Sequence, residues 1–418
     1  MVTQTRNSDL YLLTVVGIIA AFGPFVTDFY LPALPALGGY FHTTASYVQL
    51  SLTFSMVGLA VGQLVIGPLS DRYGRKMTML ASLVLFCIAT AGCLYAPDIH
   101  WFIFFRLLQG IAGAGGVVIS KSIATDLYEG RELTRFYALL SSVQGLAPIC
   151  APVLGGLLLE TTDWKGIFWI LLAIGLSLIA ALCFFKESLP RERRICSDVL
   201  SSFLYYMPVL RNKRFIGYVL TQAFAMGVMF AYIAASPFIF QEHYRLSPMA
   251  YSLCFGANAL AIMLGSLTVP FFRTAEQALK AGAVGFGGVS LLAAGVLMGN
   301  AHVAIVEICL FIFLLFLGLI LPSSTTLALD QERGNSGNAS AVLGFLIFLF
   351  GGILSPLTGL GNILYTTGII IVVCSLSAGA CAWLVHERTP QRLQCFVRNR
   401  IIRSYLSDNV FHKSKKMI

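Results

Sequence analysis

Long stretches without a charged residue are the feature that most constrains how this chain can fold. The longest runs from residue 334 to residue 386, and eight others are each at least 20 residues long. An apolar segment of about 20 residues can cross a bilayer as a helix. Because 57% of the 418 residues are hydrophobic and only 11% are charged, a water-soluble fold could not bury the apolar surface, and the solvent must be lipid.

The apolar stretches predict helices rather than a β-barrel. Backbone groups in lipid must find hydrogen bonds within the structure, which leaves helices or a closed barrel, and these runs are continuous instead of alternating. We therefore predict an all-α membrane protein with twelve transmembrane helices. The predicted spans are residues 9–35, 47–69, 76–96, 99–122, 135–158, 165–186, 214–240, 248–272, 278–299, 302–328, 338–360 and 365–386.

Basic residues are distributed unevenly around these spans. If the N-terminus is cytoplasmic, 25 of the 28 Lys and Arg residues lie on the cytoplasmic side. Only Lys165 and Arg245 lie outside, and Arg106 lies within a span. This asymmetry predicts a multi-pass protein of the cell (inner) membrane with both termini in the cytoplasm. It also explains the net charge of +9, so no nucleic-acid partner is expected.

The longest break between spans divides the chain into two sets of six. We predict an N-terminal six-helix bundle (1–186), a cytoplasmic central loop (187–213), a C-terminal six-helix bundle (214–387) and a basic cytoplasmic tail (388–418). The tail is either an interfacial helix or disordered.

A weak internal repeat agrees with this division. A shift of 204 residues places Asp126 on Asp330, Pro152 on Pro356 and Gly155 on Gly359. Repeated halves are the usual architecture of transporters that work by alternating access.

The turn between spans two and three carries the most specific motif, Gly67-Pro-Leu-Ser-Asp71-Arg72-Tyr-Gly74-Arg75-Lys76. Its glycines allow a sharp turn, its aspartate can complement a helix N-terminus, and its arginine can pair with a carboxylate. An ordinary basic loop needs none of these. The pattern resembles the loop signature of the major facilitator superfamily. That resemblance implies two bundles of this superfamily's fold and a cytoplasmic latch made by Gly67, Asp71, Arg72, Gly74, Arg75 and Asp126, with Asp126 as the partner of Arg75.

Spans four and five carry two further patterns of this kind. Arg106-Leu-Leu-Gln109-Gly110 resembles the fourth-span signature of the same superfamily, which is associated with proton coupling. The glycines that follow suit close helix packing better than a nucleotide loop, because no strand precedes them. Span five resembles the antiporter signature, and the residues that carry it are Ala147, Pro148, Ala151, Pro152, Gly155 and Gly156.

Three segments resemble one branch of this superfamily, the bicyclomycin/chloramphenicol-resistance branch. They are the paired Ala-Pro of span five, Asp28-Phe-Tyr-Leu-Pro-Ala-Leu-Pro35 and Lys186-Glu-Ser-Leu-Pro190. The resemblance covers the N-terminal half closely, whereas the C-terminal half matches in hydropathy alone. It implies a drug:proton antiporter.

Three ionisable residues fall inside predicted spans. Asp28 and Arg106 both lie ~10 Å below the outer surface at 1.5 Å per residue, so they can form a buried pair. Such a pair either couples proton movement to transport or serves as a structural ion pair. Glu307 is about five residues into span ten, and we expect its side chain to reach the outer interface; it is the next candidate for coupling.

Flexible and aromatic side chains suggest where a substrate binds. Methionines and aromatic residues suit a cavity that accepts varied apolar solutes, although plain helix packing explains them equally well. The residues expected to line such a cavity are Tyr30, Gln109, Gln222, Met226, Met229, Phe230 and Tyr232.

The leading interpretation is proton-driven export of small drug-like molecules by a protein that works as a monomer. The runner-up keeps the fold and exports a natural metabolite such as a nucleoside, sugar or amino acid. A membrane enzyme is disfavoured because no metal cluster, nucleophile motif or His-rich helix is present and His302 stands alone. A channel is disfavoured because no ring of repeated acids is visible. No cofactor is expected.

Overall fold

The computed structural model describes residues 8–128, 130–194, 206–332 and 336–387, and this part of the chain is mostly helical, without strands. Its fourteen α-helices are α1 (Asp9–Asp28), α2 (Leu34–Tyr40), α3 (Ala45–Tyr73), α4 (Arg75–Leu94), α5 (Ile99–Leu127), α6 (Gly130–Leu159), α7 (Trp164–Cys183), α8 (Tyr206–Arg211), α9 (Lys213–Pro237), α10 (Pro248–Thr268), α11 (Ala275–Met298), α12 (Val303–Asp330), α13 (Ser336–Leu354) and α14 (Ile363–Glu387). The predicted all-α fold class is confirmed.

Helices of the right length occupy the predicted spans. Among the described residues, ten helices are long and apolar enough to cross a bilayer. A pair bent by 43° between Gly23 and Phe25 makes an eleventh candidate. α6 contributes Gly145–Leu159 as a shorter apolar helix. Each of the twelve predicted spans therefore has a helical counterpart.

The first predicted span, residues 9–35, is not one continuous helix. α1 ends at Asp28, a 3₁₀ turn follows at Leu31–Ala33, and α2 continues from Leu34. Prolines stand at positions 32 and 35, and proline removes a backbone donor and clashes with the preceding turn of a helix. The chain therefore breaks here, directly after the carboxylate of Asp28.

Polar side chains fix where several helices begin. Asp98 Oδ1 accepts hydrogen bonds from the backbone N–H groups of His100 and Trp101, at 2.8 and 3.0 Å. Ser247 Oγ accepts from Ala250 N at 3.2 Å. Such caps satisfy donors that the first turn of a helix leaves unpaired.

The helices pack as two six-helix bundles. In the N-terminal half, α3 and α4 pack on α5, α1 on α5 and α6, and α4 on α7. In the C-terminal half, α11 packs on α12 and α14, α10 on α12, and α9 on α13 and α14. The halves meet along two helix pairs, α3 with α13 and α6 with α10.

Glycines allow equivalent helix pairs of the two halves to approach closely. A Cβ atom on Gly110 of α5 would overlap the carbonyl oxygen of Ser55 in α3. In the other half, a Cβ on Gly318 of α12 would overlap the carbonyl oxygen of Ile262 in α10. The glycine-rich stretch of span four therefore serves helix packing, as close backbone approach requires.

The connection between the halves is described in two pieces, residues 187–194 and a second piece that contains α8. The Tyr206 hydroxyl donates to the carbonyl oxygen of Leu64 in α3 at 3.3 Å. Burial is the main cause of a raised pKa at Tyr206, and the negative charge of Asp71 raises this pKa further. The Tyr206 hydroxyl therefore keeps the proton that it donates. The rest of the predicted central loop, from 195 to 205, and the whole predicted tail, 388–418, lie outside the described residues.

Candidate functional site

A cavity of about 870 Å³ lies between the two halves. Residues of α1, α3, α5 and α6 line it on one side, and residues of α9, α10, α12 and α13 on the other. The lining is mostly apolar and aromatic. Its polar members are Thr27, Asp28, Tyr232, Asn258 and Ser266, so Asp28 is the one carboxylate among the lining residues.

Asp28 sits at the last residue of α1 and faces this cavity. Its side chain is 5% exposed, and its Oδ1 accepts a hydrogen bond from Thr27 Oγ1 at 2.8 Å. A carboxylate in such a place is costly to keep charged unless a cation or further donors reach it.

Arg106 is fully buried inside the N-terminal bundle. Its guanidinium lies over the ring of Tyr30, 4.1 Å from the ring centroid. One amino group donates to the carbonyl oxygen of Val26 at 2.9 Å, and the other donates to Gln109 Oε1. Gln109 in turn donates to Thr90 Oγ1 at 2.8 Å. We call Tyr30, Gln109 and the Val26 carbonyl the arginine cage.

The structure does not join Asp28 to Arg106. Within the described residues, the ion pairs closer than 4.0 Å do not include these two side chains. The two residues were predicted to lie at the same depth in the membrane. Asp28 turns to the cavity, however, while Arg106 turns into its own bundle. They are linked through Val26, which lies two residues before Asp28. The carbonyl oxygen of Val26 accepts a hydrogen bond from the Arg106 guanidinium.

Four of the seven residues expected to line a substrate cavity do line it: Met226, Met229, Phe230 and Tyr232. The other three do not line this cavity. Tyr30 and Gln109 belong to the arginine cage. Gln222 faces α12, where its Oε1 accepts from Thr325 Oγ1 at 3.0 Å.

Glu307 does not reach the outer interface as expected. Its Oε2 accepts a hydrogen bond from Asn258 Nδ2 at 3.1 Å, and its Oε1 is buried. Asn258 also donates to the Tyr232 hydroxyl at 2.9 Å. Asn258 was not among the residues predicted from the sequence. It is the one amide side chain in the uncharged stretch 246–272, and this could have identified it, because polar side chains inside membranes are often functional.

The antiporter-motif residues lie where α6 passes both α1 and α10. A Cβ on Gly155 would overlap the carbonyl oxygen of Phe29, and one on Gly156 would overlap the Ser252 hydroxyl. Pro148 lines the cavity. Ala147 and Ala151 are buried, and Pro152 lies in the same helix. These small residues let one helix of the N-terminal half touch the C-terminal half closely.

The motif at residues 67–76 forms a dense polar cluster at one end of the N-terminal bundle. Arg75 Nε donates to Asp126 Oδ2 at 2.9 Å, and its other donors reach Asp71 and Ser70. Gly74 has φ +97°, a conformation that favours glycine, and it separates α3 from α4. The structure thus brings together Asp71, Arg75 and Asp126, as the resemblance implied.

Gly67 and Arg72 take lesser parts in this cluster. The Gly67 carbonyl oxygen accepts from Ser70 Oγ at 2.8 Å. The Arg72 guanidinium lies 5.5 Å from the ring centroid of Tyr73.

Glu187 is a member of the cluster that the motif did not reveal. Its carboxylate accepts from the backbone N–H groups of Arg75 and Lys76, at 2.9 and 3.3 Å, at the start of α4. The next residue, Ser188, donates to Asp126 Oδ2 at 3.1 Å. A Cβ on Gly74 would overlap the Glu187 carboxylate. The segment after α7 is therefore bound to the turn between α3 and α4, an acidic cap at a helix N-terminus.

Comparison with known proteins places this architecture among transporters. A family model described as Major Facilitator Superfamily matches residues 16–356. A Bacillus subtilis protein named Uncharacterized MFS-type transporter YdgK is 37% identical, with 88% of this chain and 94% of the relative aligned. A Haemophilus influenzae protein named Bicyclomycin resistance protein homolog is 26% identical, with 90% of this chain and 96% of the relative aligned.

A solved structure agrees at the level of fold. A bacterial homolog to the human lysosomal transporter Spinster, crystallised in an inward-facing and unoccupied conformation, superimposes with a TM-score of 0.71 at 16% identity, covering 91% of this chain and 98% of that one.

Proposed function

The chain belongs to the major facilitator superfamily and is a multi-pass membrane transporter of small molecules rather than an enzyme, and from this premise we propose that it exports drug-like compounds in exchange for protons by alternating access. It acts as a monomer in the inner membrane with both termini in the cytoplasm. Its relationship to the bicyclomycin/chloramphenicol-resistance branch supports the choice of substrate class.

The observation that carries the proposal is the chemistry of the central cavity. Its wall is apolar and aromatic over most of its area and holds a single lining carboxylate, Asp28. An apolar solute gains roughly 25 cal/mol for each Å² of apolar surface that it buries. Flexible Met226, Met229 and Met263 can fit solutes of different shapes.

Hydrogen bonds between the halves support alternating access. They lie at the end of the bundles opposite the 67–76 motif, near the start of α3 and the end of α13. They are Ser46 Oγ to Gly359 O (2.6 Å), Gln49 Nε2 to Ala234 O (3.2 Å), the Thr53–Ser355 hydroxyl pair (2.8 Å) and Gln241 Nε2 to Pro32 O (3.1 Å). With the basic loops in the cytoplasm, this is the outer end. We therefore assign this conformation to the inward-open state, because these contacts join the halves at the outer end of the cavity.

Proton coupling is assigned to Asp28, with Arg106 as its regulator. In the inward-open state Arg106 is held by the arginine cage, so Asp28 faces the cavity and no cation of the described residues lies within ion-pair distance of it. Movement of α1 against α5 in the outward-open state brings the two charges nearer and favours the ionised carboxylate. A proton carried inward gains ~2.3 kcal/mol for each 100 mV of membrane potential, which is enough to bias the cycle towards export.

The cavity has few polar side chains, and this argues against export of a sugar, nucleoside or amino acid. A sugar or nucleoside carries many hydroxyl groups, and each one buried without a partner is costly. Among the lining residues, five have polar side chains, and two of those, Tyr232 and Asn258, are bonded to each other.

Transport into everted membrane vesicles tests the proposal. We expect an imposed pH gradient to drive accumulation of apolar antibiotics and lipophilic dyes, and their addition to collapse the gradient, in vesicles that contain the protein. A parallel panel of sugars, nucleosides and amino acids should leave the gradient intact. Proton-driven accumulation of those metabolites alone would establish the metabolite exporter instead.

A further inference from the structure

Three polar side chains of the C-terminal half meet at the wall of the central cavity. They are Tyr232 of α9, Asn258 of α10 and Glu307 of α12. Asn258 Nδ2 donates one hydrogen bond to the Tyr232 hydroxyl at 2.9 Å and another to Glu307 Oε2 at 3.1 Å. Both amide hydrogens of Asn258 are therefore engaged, and this polar corner is fixed by bonds between three helices.

The polar corner presents acceptors without donors. Asn258 Oδ1 and Glu307 Oε1 are both buried, and no described residue donates a hydrogen bond to either atom. Asn258 is fully buried against solvent but lines the cavity, as Tyr232 does. Buried acceptors of this kind are costly unless a donor reaches them, which points to a ligand that brings N–H groups.

The charge around the polar corner favours a cation. The lining residues of the cavity include Asp28 and no Lys or Arg. Asp28 lines the cavity from the N-terminal half, and Asn258, which is bonded to Glu307, lines it from the C-terminal half, so the two carboxylates flank the same region. In a medium of low dielectric constant, either carboxylate attracts a bound cation strongly when it is ionised.

An aromatic surface stands beside the polar corner. The rings of Tyr232 and Phe255 are stacked, with centroids 5.9 Å apart and an interplanar angle of 13°, and both line the cavity. A flat aromatic group can pack against such a surface while a charged group attached to it reaches Asn258.

We propose that the polar corner of Tyr232, Asn258 and Glu307 recognises the protonated primary amine of an aromatic substrate through its N–H groups. Asn258 Oδ1 accepts an N–H of the ammonium group. Glu307 acts through Asn258 as a positioning residue, because it holds the amide in place and supplies the negative charge behind it. This assignment rests on the proposed function, since it specifies which drug-like molecules the cavity selects.

Three fluorescent probes with one ring system separate hydrogen bonding from charge. They are 1-pyrenemethylammonium, its N,N,N-trimethyl analogue with the same charge and no N–H, and the neutral N-acetyl derivative. Binding is measured by fluorescence with the purified full chain in lipid nanodiscs. We expect the wild type to bind the primary ammonium about tenfold or more tightly than the trimethyl analogue.

Two variants test the residues, and a third serves as the control. Asn258→Leu should lose about tenfold or more in affinity for the primary ammonium, while affinity for the trimethyl analogue changes by less than about threefold. Glu307→Gln removes a charge as well as the support of Asn258, so it should weaken binding of both charged probes, and the loss should be at least about threefold larger for the primary ammonium. Retained binding of that analogue shows that the variant is folded. Glu307→Asp should recover part of the selectivity. Glu160→Gln, which removes an exposed carboxylate at the end of α6, should behave as wild type.

If the variants lost equal affinity for both charged probes, the inference would be overturned, because the site would then recognise charge alone. Failure of the wild type to bind or prefer the primary ammonium would overturn it as well, and proton-driven transport of neutral compounds would then leave the proposed function standing. Amine-selective binding without any proton-driven transport would support the polar corner and reject the proposed function.

Discussion

Arg106 brings a full positive charge into a helix bundle where the described residues offer it a ring, a carbonyl oxygen and an amide, but no carboxylate. Removing a guanidinium from water is costly, and the arginine cage offsets this cost with a cation–π contact and two hydrogen bonds. Asp28, two residues beyond the carbonyl that binds Arg106, remains available to the cavity. The two charged groups are therefore linked through the backbone of α1 rather than by direct contact.

Asp28→Asn should abolish accumulation driven by a proton gradient, because the amide cannot take up and release a proton. Substrate binding and protein abundance should stay near wild-type levels, since the amide fills nearly the same volume. The measurement is uptake into everted vesicles with an imposed pH gradient, with expression determined in parallel. Uphill accumulation at near wild-type rates would move the coupling role away from Asp28.

Tyr30 should act as a positioning residue for Arg106. Tyr30→Phe keeps the ring and should retain transport within about threefold, whereas Tyr30→Leu removes a buried cation–π contact of up to about 2 kcal/mol and frees the guanidinium. We expect Tyr30→Leu to shift the pH profile of transport and to lower its maximal rate. An unchanged pH profile in a folded Tyr30→Leu protein would show that the ring only fills space.

At the scale of helices, the turn from α3 to α4 is held from both sides. Arg75 reaches forward to Asp126 at the end of α5, and Glu187 returns from the end of α7 to cap the start of α4. The cluster therefore binds the ends of four helices of one half to each other. It lies far from the central cavity, so its effect on transport must come through the balance between conformations.

Arg75→Ala and Asp126→Ala should each slow transport while leaving substrate binding largely intact. The double variant should be less impaired than the sum of the two single effects, because the singles remove the same contact. Rates and affinities are compared with Arg135→Ala, which removes an exposed basic residue of α6. Strict additivity would contradict a functional Arg75–Asp126 pair.

Because α3 and α5 approach closely, alanine substitutions at two glycines should change the stability of the protein by very different amounts. Gly110→Ala should destabilise the protein by about 1–3 kcal/mol, because its methyl group meets the backbone of Ser55 and overpacking carries such a cost. Gly295→Ala is the matched control, since a Cβ at Gly295 of α11 meets nothing within 4 Å. Thermal unfolding of the purified variants in detergent measures both. Equal unfolding temperatures would contradict the tight α3–α5 contact.

At the scale of the whole molecule, hydropathy predicted where the long helices lie, because apolar length is a local property of the sequence. The direction in which each side chain points was harder to predict. Tyr30, Gln109 and Gln222 were expected in the cavity but face helices of their own half, and Glu307 turns inward to Asn258. Rotation of a helix about its axis is set by packing against its neighbours, which a single sequence does not encode locally.

Only part of the cytoplasmic latch could be predicted, because some of its residues are distant from the motif in the sequence. Asp71, Arg75 and Asp126 follow from a motif with fixed spacing. Glu187 comes from a segment more than 100 residues away in the sequence, and only the fold brings it to the motif.

Reporter fusions test the orientation of the molecule. Fusions after Leu189 and after the last residue should report the cytoplasm, and fusions near Gly39, Pro97 and Asn300 should report the outside, because the basic loops are retained inside. Paired alkaline phosphatase and fluorescent protein fusions give opposite signals for the two sides. An external signal from the C-terminal fusion would overturn the twelve-span arrangement.

The outer contacts between the halves have an evolutionary consequence. In three of the four, a side chain of one half donates to a main-chain oxygen of the other, at Gly359, Ala234 and Pro32. Every residue type carries that oxygen, so mutation at Ala234 or Pro32 leaves an acceptor in place, whereas a Cβ at Gly359 would overlap the donor, Ser46 Oγ. In the two contacts made by glutamine side chains, selection for faster or slower turnover can therefore act on only one partner, and adaptive changes under drug pressure should accumulate at Gln49 and Gln241 rather than at the positions that they touch.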